Sequence, residues 1–248
     1  MKATIKFKKK EYQINLAKPL DISMTLRGDA SNVNAWYVEH PHIAPHTDGD
    51  FVGSVAKGAS ANFNDIWFNP HAHGTHTECV GHITRDFASV NKSLHRFFFL
   101  AELITVAPGK RGEDFVITKK QLQNAIGDLR MEALVIRTLP NTDSKKSRQY
   151  AHTNPPYLLE EAAAFLAEIG VEHLLIDLPS IDKEKDEGAL LAHKMFWDFN
   201  GTIRSKATIT EFIYVPNAVI DGTYFLNFQV APFENDASPS RPVLYKIK

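Results

Sequence analysis

Residues 133–139, ALVIRTL, and 173–178, HLLIDL, are two short apolar runs with little polar alternation. A run of that kind reads as a strand buried on both faces. Between them Leu158, Ala162, Phe165, Leu166 and Ile169 recur at helical spacing. Asn154 is a candidate N-cap, Pro155 suits the first turn, and Gly170 is a stop signal. Strand, helix and strand at this spacing make a βαβ unit, so the two strands pair in parallel and the fold class is α/β. In such sheets ligands gather beyond the carboxyl ends of the strands, where Asp177, Ser180 and Asp182 fall.

The pattern extends in both directions. Ala101–Val106 reads as a strand, and Thr118 with Gln121 forms a capping box for a helix ending before Gly127. Short strands are expected at 4–8, 12–16 and 20–26, with Lys residues protecting the first as an edge. Residues 27–65 carry scattered Gly and Pro and read as a long irregular loop. The tail from Thr208 alternates strands with turns at Asp221-Gly222 and Asn235-Asp236. Residues 183–188, KEKDEG, read as a solvated charged loop. With no linker, repeat or low-complexity segment, residues 1–248 are expected to form one domain.

Chemistry concentrates in residues 69–82, NPHAHGTHTECVGH, which hold four of the chain's 11 histidines. In an extended chain His76 and Glu78 share one face, two residues apart. Imidazole and carboxylate donors suit zinc, manganese or iron(II). Gly74 lets the backbone pass close to an ion. Cys79 has the opposite parity to Glu78 and is expected to point away. The composition, 44% hydrophobic and 23% charged, is that of a globular protein. A net charge of −1 provides no global field for nucleic acid or an anionic membrane. The single cysteine precludes an internal disulfide and fits a reducing compartment. No signal-like or bilayer-length apolar run is present, so a cytoplasmic location is expected.

The histidine stretch resembles the motif H-x-G-T-H-x-D-x-P-x-H of the cyclase family, which includes bacterial kynurenine formamidases and isatin hydrolases. Gly74-Thr75-His76 matches G-T-H, Glu78 stands in the Asp slot, and His82 fills the last position. Asp21-Ile22-Ser23, residues 176–182 (IDLPSID), Ala192-His193 and residues 238–243 (SPSRPV) resemble further family segments in the same order. The departures are Ala72 at the first histidine position, Glu78 for Asp, and Val80 for Pro.

The resemblance implies the swivelling β/β/α fold, a homodimer, a small-molecule substrate, and a metal-dependent hydrolase acting on an aryl formamide or cyclic amide. It implies one or two divalent ions, zinc foremost and manganese as alternative. The expected ligands are His71, His76 and Glu78, with Glu78 shared with His193 and Glu211 around a second ion. His82 is either a ligand or a proton shuttle, and His193 also stands as a catalytic candidate. Trp36 and Ser180 are candidate substrate contacts. His71 is preferred over His73 as the replacement at Ala72, on the expectation of a β-bulge at Ala72-His73 that turns His71 to the metal face. A cyclase or dehydratase, and a non-catalytic metal-binding relative, remain alternative functions.

Overall fold

The structure is a computed structural model and describes residues 1–7 and 9–247. Its main sheet contains β1 Leu20–Asp21, β2 His76–Glu78, β3 Phe98–Val106, β4 Ala133–Thr138, β5 His173–Ile176, β6 Thr208–Glu211, β7 Gly222–Asn227, β8 Ala237–Pro239 and β9 Val243–Lys246. The spatial order is β8-β2-β6-β5-β4-β3-β7-β9-β1. The middle four strands, β6, β5, β4 and β3, are parallel, and the strands flanking them pair antiparallel. The parallel pairing expected for 133–139 and 173–178 is therefore observed. Every residue of β4 and β5 is buried, as covering on both faces requires.

The side-chain period of two divides these strands between two cores. Leu134 and Ile136 of β4 join one apolar cluster, which also holds Leu122 and Ile126 of helix α1 (Lys119–Ile126) and Ala162, Phe165 and Leu166 of α2 (Glu160–Glu168). Ala133 and Val135 enter the other cluster with Phe99, Leu226 and Phe228. Truncating one of these buried side chains to Ala, such as Ile136, costs about 2–5 kcal/mol. Helix α3 (Leu191–Phe196) packs on the same side as α1 and α2.

Local signals explain several boundaries. The Thr118–Gln121 capping box forms in full, and Gly127 follows α1. Gly170, at φ +85°, ends α2. The start of α2 differs from expectation. Asn154 is left-handed at φ 47° rather than an N-cap, and Pro155 leads into the short strand Tyr157–Leu158, which pairs in parallel with Asp114–Ile117. A tertiary strand pairing outcompetes the helix-start signal there.

The first two strands form a hairpin, Lys2–Phe7 with Lys10–Asn15. Lys8, assigned above to the first of them, lies outside the described residues. The expected strand 20–26 shortens to β1, because Ile22 and Met24 turn to other partners: Ile22 N–H donates to Pro242 O and Met24 N–H to Thr75 Oγ1. Residues 27–65 are less irregular than expected. His42–Pro45 pairs with Asn64–Trp67, and Thr47–Asp48 with Phe51–Val52, as nested ribbons. Among the described residues no helix is long and apolar enough to cross a membrane.

Candidate metal centre

Strand β2 is held between two partners, which set the site's register. Glu211 of β6 lies opposite His76, while Ala237 and Pro239 of β8 lie opposite Glu78 and His76. The preceding loop is a turn, not the bulged strand expected above. His71 N–H donates to Asn69 Oδ1 (2.9 Å) and Ala72 N–H to Asn69 O (3.2 Å). Gly74 adopts φ +147°, which side-chain-bearing residues rarely take. Thr75 Oγ1 accepts from Met24 N–H and donates to Phe212 O. The turn, rather than a bulge, swings His71 inward.

The ligand-type atoms converge in three overlapping groups, each within 4.8 Å: His71, His76 and Glu78; Glu78, His82 and His193; and His71, His82 and Asp236. His76 is fully buried. Its Nδ1–H faces Gly74 O at 3.0 Å, which assigns the lone pair to Nε2. Nε2 is buried without a hydrogen-bond partner and lies 3.5 Å from Glu211 Oε2. Glu78 Oε1 faces His193 Nε2 at 3.0 Å. Glu78 Oε2 is buried and makes no hydrogen bond, although His71 Nδ1 stands 3.1 Å away. Buried polar atoms normally have partners. Two orphans in one cluster of N and O donors fit a bound divalent cation.

The electrostatics agree. Burial alone would raise the Glu78 carboxyl, but charge on His82, hydrogen bonding from His193 and the His71 imidazole beside it outweigh it and hold it well below the usual range. Burial opposes a proton on His71, yet Asp236 and Glu78 raise its pKa to about 10. Burial likewise disfavours charge on His193, and Asp182 and Glu78 overcome it, raising the pKa well above the ordinary value. Asp236 is pulled well below the usual range by hydrogen bonds from His71 and His82. Positive charge held on the imidazoles offsets these carboxylates, and a bound cation would take over that role and release protons.

All six expected ligand candidates, His71, His76, Glu78, His82, His193 and Glu211, meet in this cluster or at its edge. His73 does not. Its Nδ1 accepts from Asn69 N–H (2.8 Å) and its Nε2 contacts Glu39 O (2.9 Å), so it braces the loop from outside the cluster. Cys79 points away as expected, its thiol donating to Ala88 O. Trp36 donates its indole N–H to His71 O at 3.0 Å. Ser180 Oγ accepts from Asp182 N–H, and the next residue, Ile181, donates N–H to Glu211 Oε1. Asp177 sits at a strand's carboxyl end but faces a buried partner, Lys145 Nζ at 2.8 Å.

Two carboxylates gain roles that sequence reasoning missed. Asp182 accepts from Ala192 N–H and His193 N–H at the start of α3 and contacts His193 Nδ1 at 2.5 Å, fixing that ring. Asp236 Oδ2 lies 2.9 Å from His71 Nε2 and 3.3 Å from His82 Nδ1. Its one sequence signal was a turn with Asn235. A groove of about 760 Å³ lined by Tyr12, Leu100, Glu102 and Met131 has none of the clustered histidines in its wall. Donor chemistry, not cavity size, locates the candidate centre.

Fold and cluster together define an α/β protein built around a buried histidine–carboxylate centre. A model of the Cyclase family matches residues 20–183, and the chain belongs to that family. It is 25% identical over 230 residues to kynurenine formamidase of Bacillus mycoides (strain KBAB4), covering 92% of this chain and 97% of that protein. It is 25% identical over 190 residues to kynurenine formamidase of Bacillus cytotoxicus, covering 76% and 82% respectively. Isatin hydrolase A from Labrenzia aggregata has a similar fold, with TM-score 0.66 at 15% identity over 92% of this chain and 93% of that one. The crystal structure of a novel cyclase gives TM-score 0.67 at 15% identity, covering 94% and 90%. The swivelling β/β/α fold is thus the fold of this chain.

Proposed function

We propose that this protein is a metal-dependent hydrolase of a non-peptide C–N bond, in an aryl formamide or a cyclic amide. The observation that carries the reading is the pair of buried, unpartnered donors, His76 Nε2 and Glu78 Oε2, inside a ring of imidazoles and carboxylates. The similarity to two kynurenine formamidases supports the choice of bond. His71, His76 and Glu78 would hold one ion, and Glu78, His193 and Glu211 offer donors for a second. A bound divalent ion, zinc foremost and manganese next, supplies a Lewis acid for a carbonyl oxygen and a water whose pKa falls toward about 7.

The chain's own groups do the rest. Glu78 offsets part of the cation's charge from a fully buried position. Asp182 fixes the His193 ring, so its Nε2 keeps facing Glu78. Asp236 does the same for His71. His82 has a side chain 29% exposed, which leaves it open to the solvent side. A histidine there can carry a proton to the leaving nitrogen. Trp36, against the His71 carbonyl, offers an aromatic wall for an aryl group. The non-catalytic alternative rested on Ala72, and His71 supplying a donor in its place argues against it.

The test is elemental analysis of the purified protein, followed by a panel of N-formyl arylamines and cyclic amides. Bound zinc or manganese and hydrolysis of at least one compound are expected. His82→Ala should lower turnover more than metal content. Absence of metal without rescue by added ions, or no hydrolysis by the fully loaded protein, would overturn the reading.

A further inference from the structure

Residues 183–188 were expected to be a solvated charged loop, yet Glu184 in that run is not free in solution. Its carboxylate takes three hydrogen bonds from two other segments. Tyr37 Oη–H donates to Oε1 at 2.6 Å, His152 N–H to Oε1 at 2.5 Å, and Asn154 N–H to Oε2 at 2.8 Å. Tyr37 is far in sequence from His152 and Asn154, so this one side chain joins three loops. The Tyr37 and His152 rings also meet, with centroids 4.5 Å apart.

The backbone around these contacts is in the left-handed region without glycine. Trp36 and Tyr37 stand at φ 60° and 59°, His152 and Asn154 at φ 65° and 47°. Such conformations persist where surrounding contacts over-determine them, and they concentrate at functional sites. Here the surrounding contacts run straight to the candidate centre. Ala35 N–H donates to Ala72 O (3.2 Å), and Trp36 Nε1–H donates to His71 O (3.0 Å). Asn34 also ties this segment to residues 148–150: its N–H donates to Arg148 O, and its carbonyl accepts from Tyr150 N–H. The segment that carries Trp36 is therefore clamped on one side by the His71 turn and on the other by Glu184.

We propose that Glu184 is a latch: its carboxylate holds the 34–38 and 150–154 loops together, so that Trp36 stays seated on the His71 carbonyl as a fixed wall of the substrate site. The word substrate rests on the hydrolase reading above; the latch itself does not. Glu184 touches no reacting atom, so it is a positioning residue. Its consequence is for substrate binding rather than for the chemical step, because it orders a wall that contacts ground state and transition state alike.

The experiment compares wild type with Glu184→Gln and Tyr37→Phe, all loaded with zinc. The amide of Gln keeps one acceptor but turns a donor toward a donor. Hydrogen exchange at His152 and Asn154 should accelerate about tenfold or more in Glu184→Gln, the loss of a hydrogen bond to a charged acceptor. The Trp36 indole N–H resonance, assigned through Trp36→Phe, should shift in both variants. With an N-formyl arylamine, KM should rise about tenfold in Glu184→Gln while kcat stays within about twofold, the signature of lost uniform binding. Unchanged exchange in Glu184→Gln, or a fall in kcat with KM unchanged, would overturn the latch. A wild type that binds no metal and hydrolyses nothing would sink the hydrolase reading alone, because exchange and the indole resonance need no substrate.

Discussion

Replacing Asp236 by Asn should loosen the candidate centre without unfolding the chain. Asp236 follows Asn235 in a turn, and its Oδ2 lies 2.9 Å from His71 Nε2 and 3.3 Å from His82 Nδ1. Were the other nitrogen of His71, Nδ1, to give its lone pair to a cation, Nε2 would carry the proton and donate it in a hydrogen bond to Asp236. Asn keeps the size but replaces a charge-assisted bond by a neutral one of roughly half the strength. Removing such an orienting partner typically costs 10–100-fold in metal affinity, about 1.4–2.8 kcal/mol. The side chain is 25% exposed, so water fills in around the amide and global stability should change little. The assay is competition for Zn2+ and Mn2+ against a chromogenic chelator, with thermal unfolding as the check on folding. An affinity within about threefold of wild type would refute the orienting role, since even the lower bound for such a partner exceeds it. A loss beyond about a thousandfold would mean that the Asp236 carboxylate touches the ion itself, for it exceeds what orientation provides.

Three further outcomes are expected. Glu78→Gln should lose metal and activity, while Cys79→Ala should retain both; equal losses, measured by elemental analysis and turnover, would remove Glu78 from the ligand set. His71→Ala should lose metal, whereas His73→Ala should keep it and instead lose about 1–3 kcal/mol of stability in denaturant titration, because the Asn69 N–H is left without its acceptor; metal retained by His71→Ala and lost by His73→Ala would reverse the assignment. Burial in an aromatic pocket, with Arg96 and Arg204 nearby, lowers the His173 pKa to about 3. The fold therefore disfavours the charged ring: stability is full above the unfolded value of about 6.5 and is lost as pH falls from there toward 3. Wild type should lose roughly 2 kcal/mol relative to His173→Gln between pH 6.5 and 5, and parallel pH profiles for the two proteins would disprove it.

The features legible from the chain alone are short-range patterns. The apolar runs at 133–139 and 173–178 specified parallel strands because a strand covered on both faces has no polar side to show. Thr118 with Gln121 opened α1, and Gly170 ended α2, because caps act over three or four residues. His76 and Glu78 share a face through strand parity alone. The tertiary structure decided the rest. Glu211 enters the centre by lying across from His76 in β6, a register that spacing from His193 does not encode. Asp236 arrives with β8 on the other side of β2. A turn anchored on Asn69, where a bulge had been expected, brings His71 rather than His73 into the cluster. Glu184, in a run that looked solvated, is gathered in by Tyr37, His152 and Asn154. Each of these depends on which distant backbone supplies the partner, and pairings over such separations are settled by the packing of whole strands and loops, not by the residues beside them in the chain.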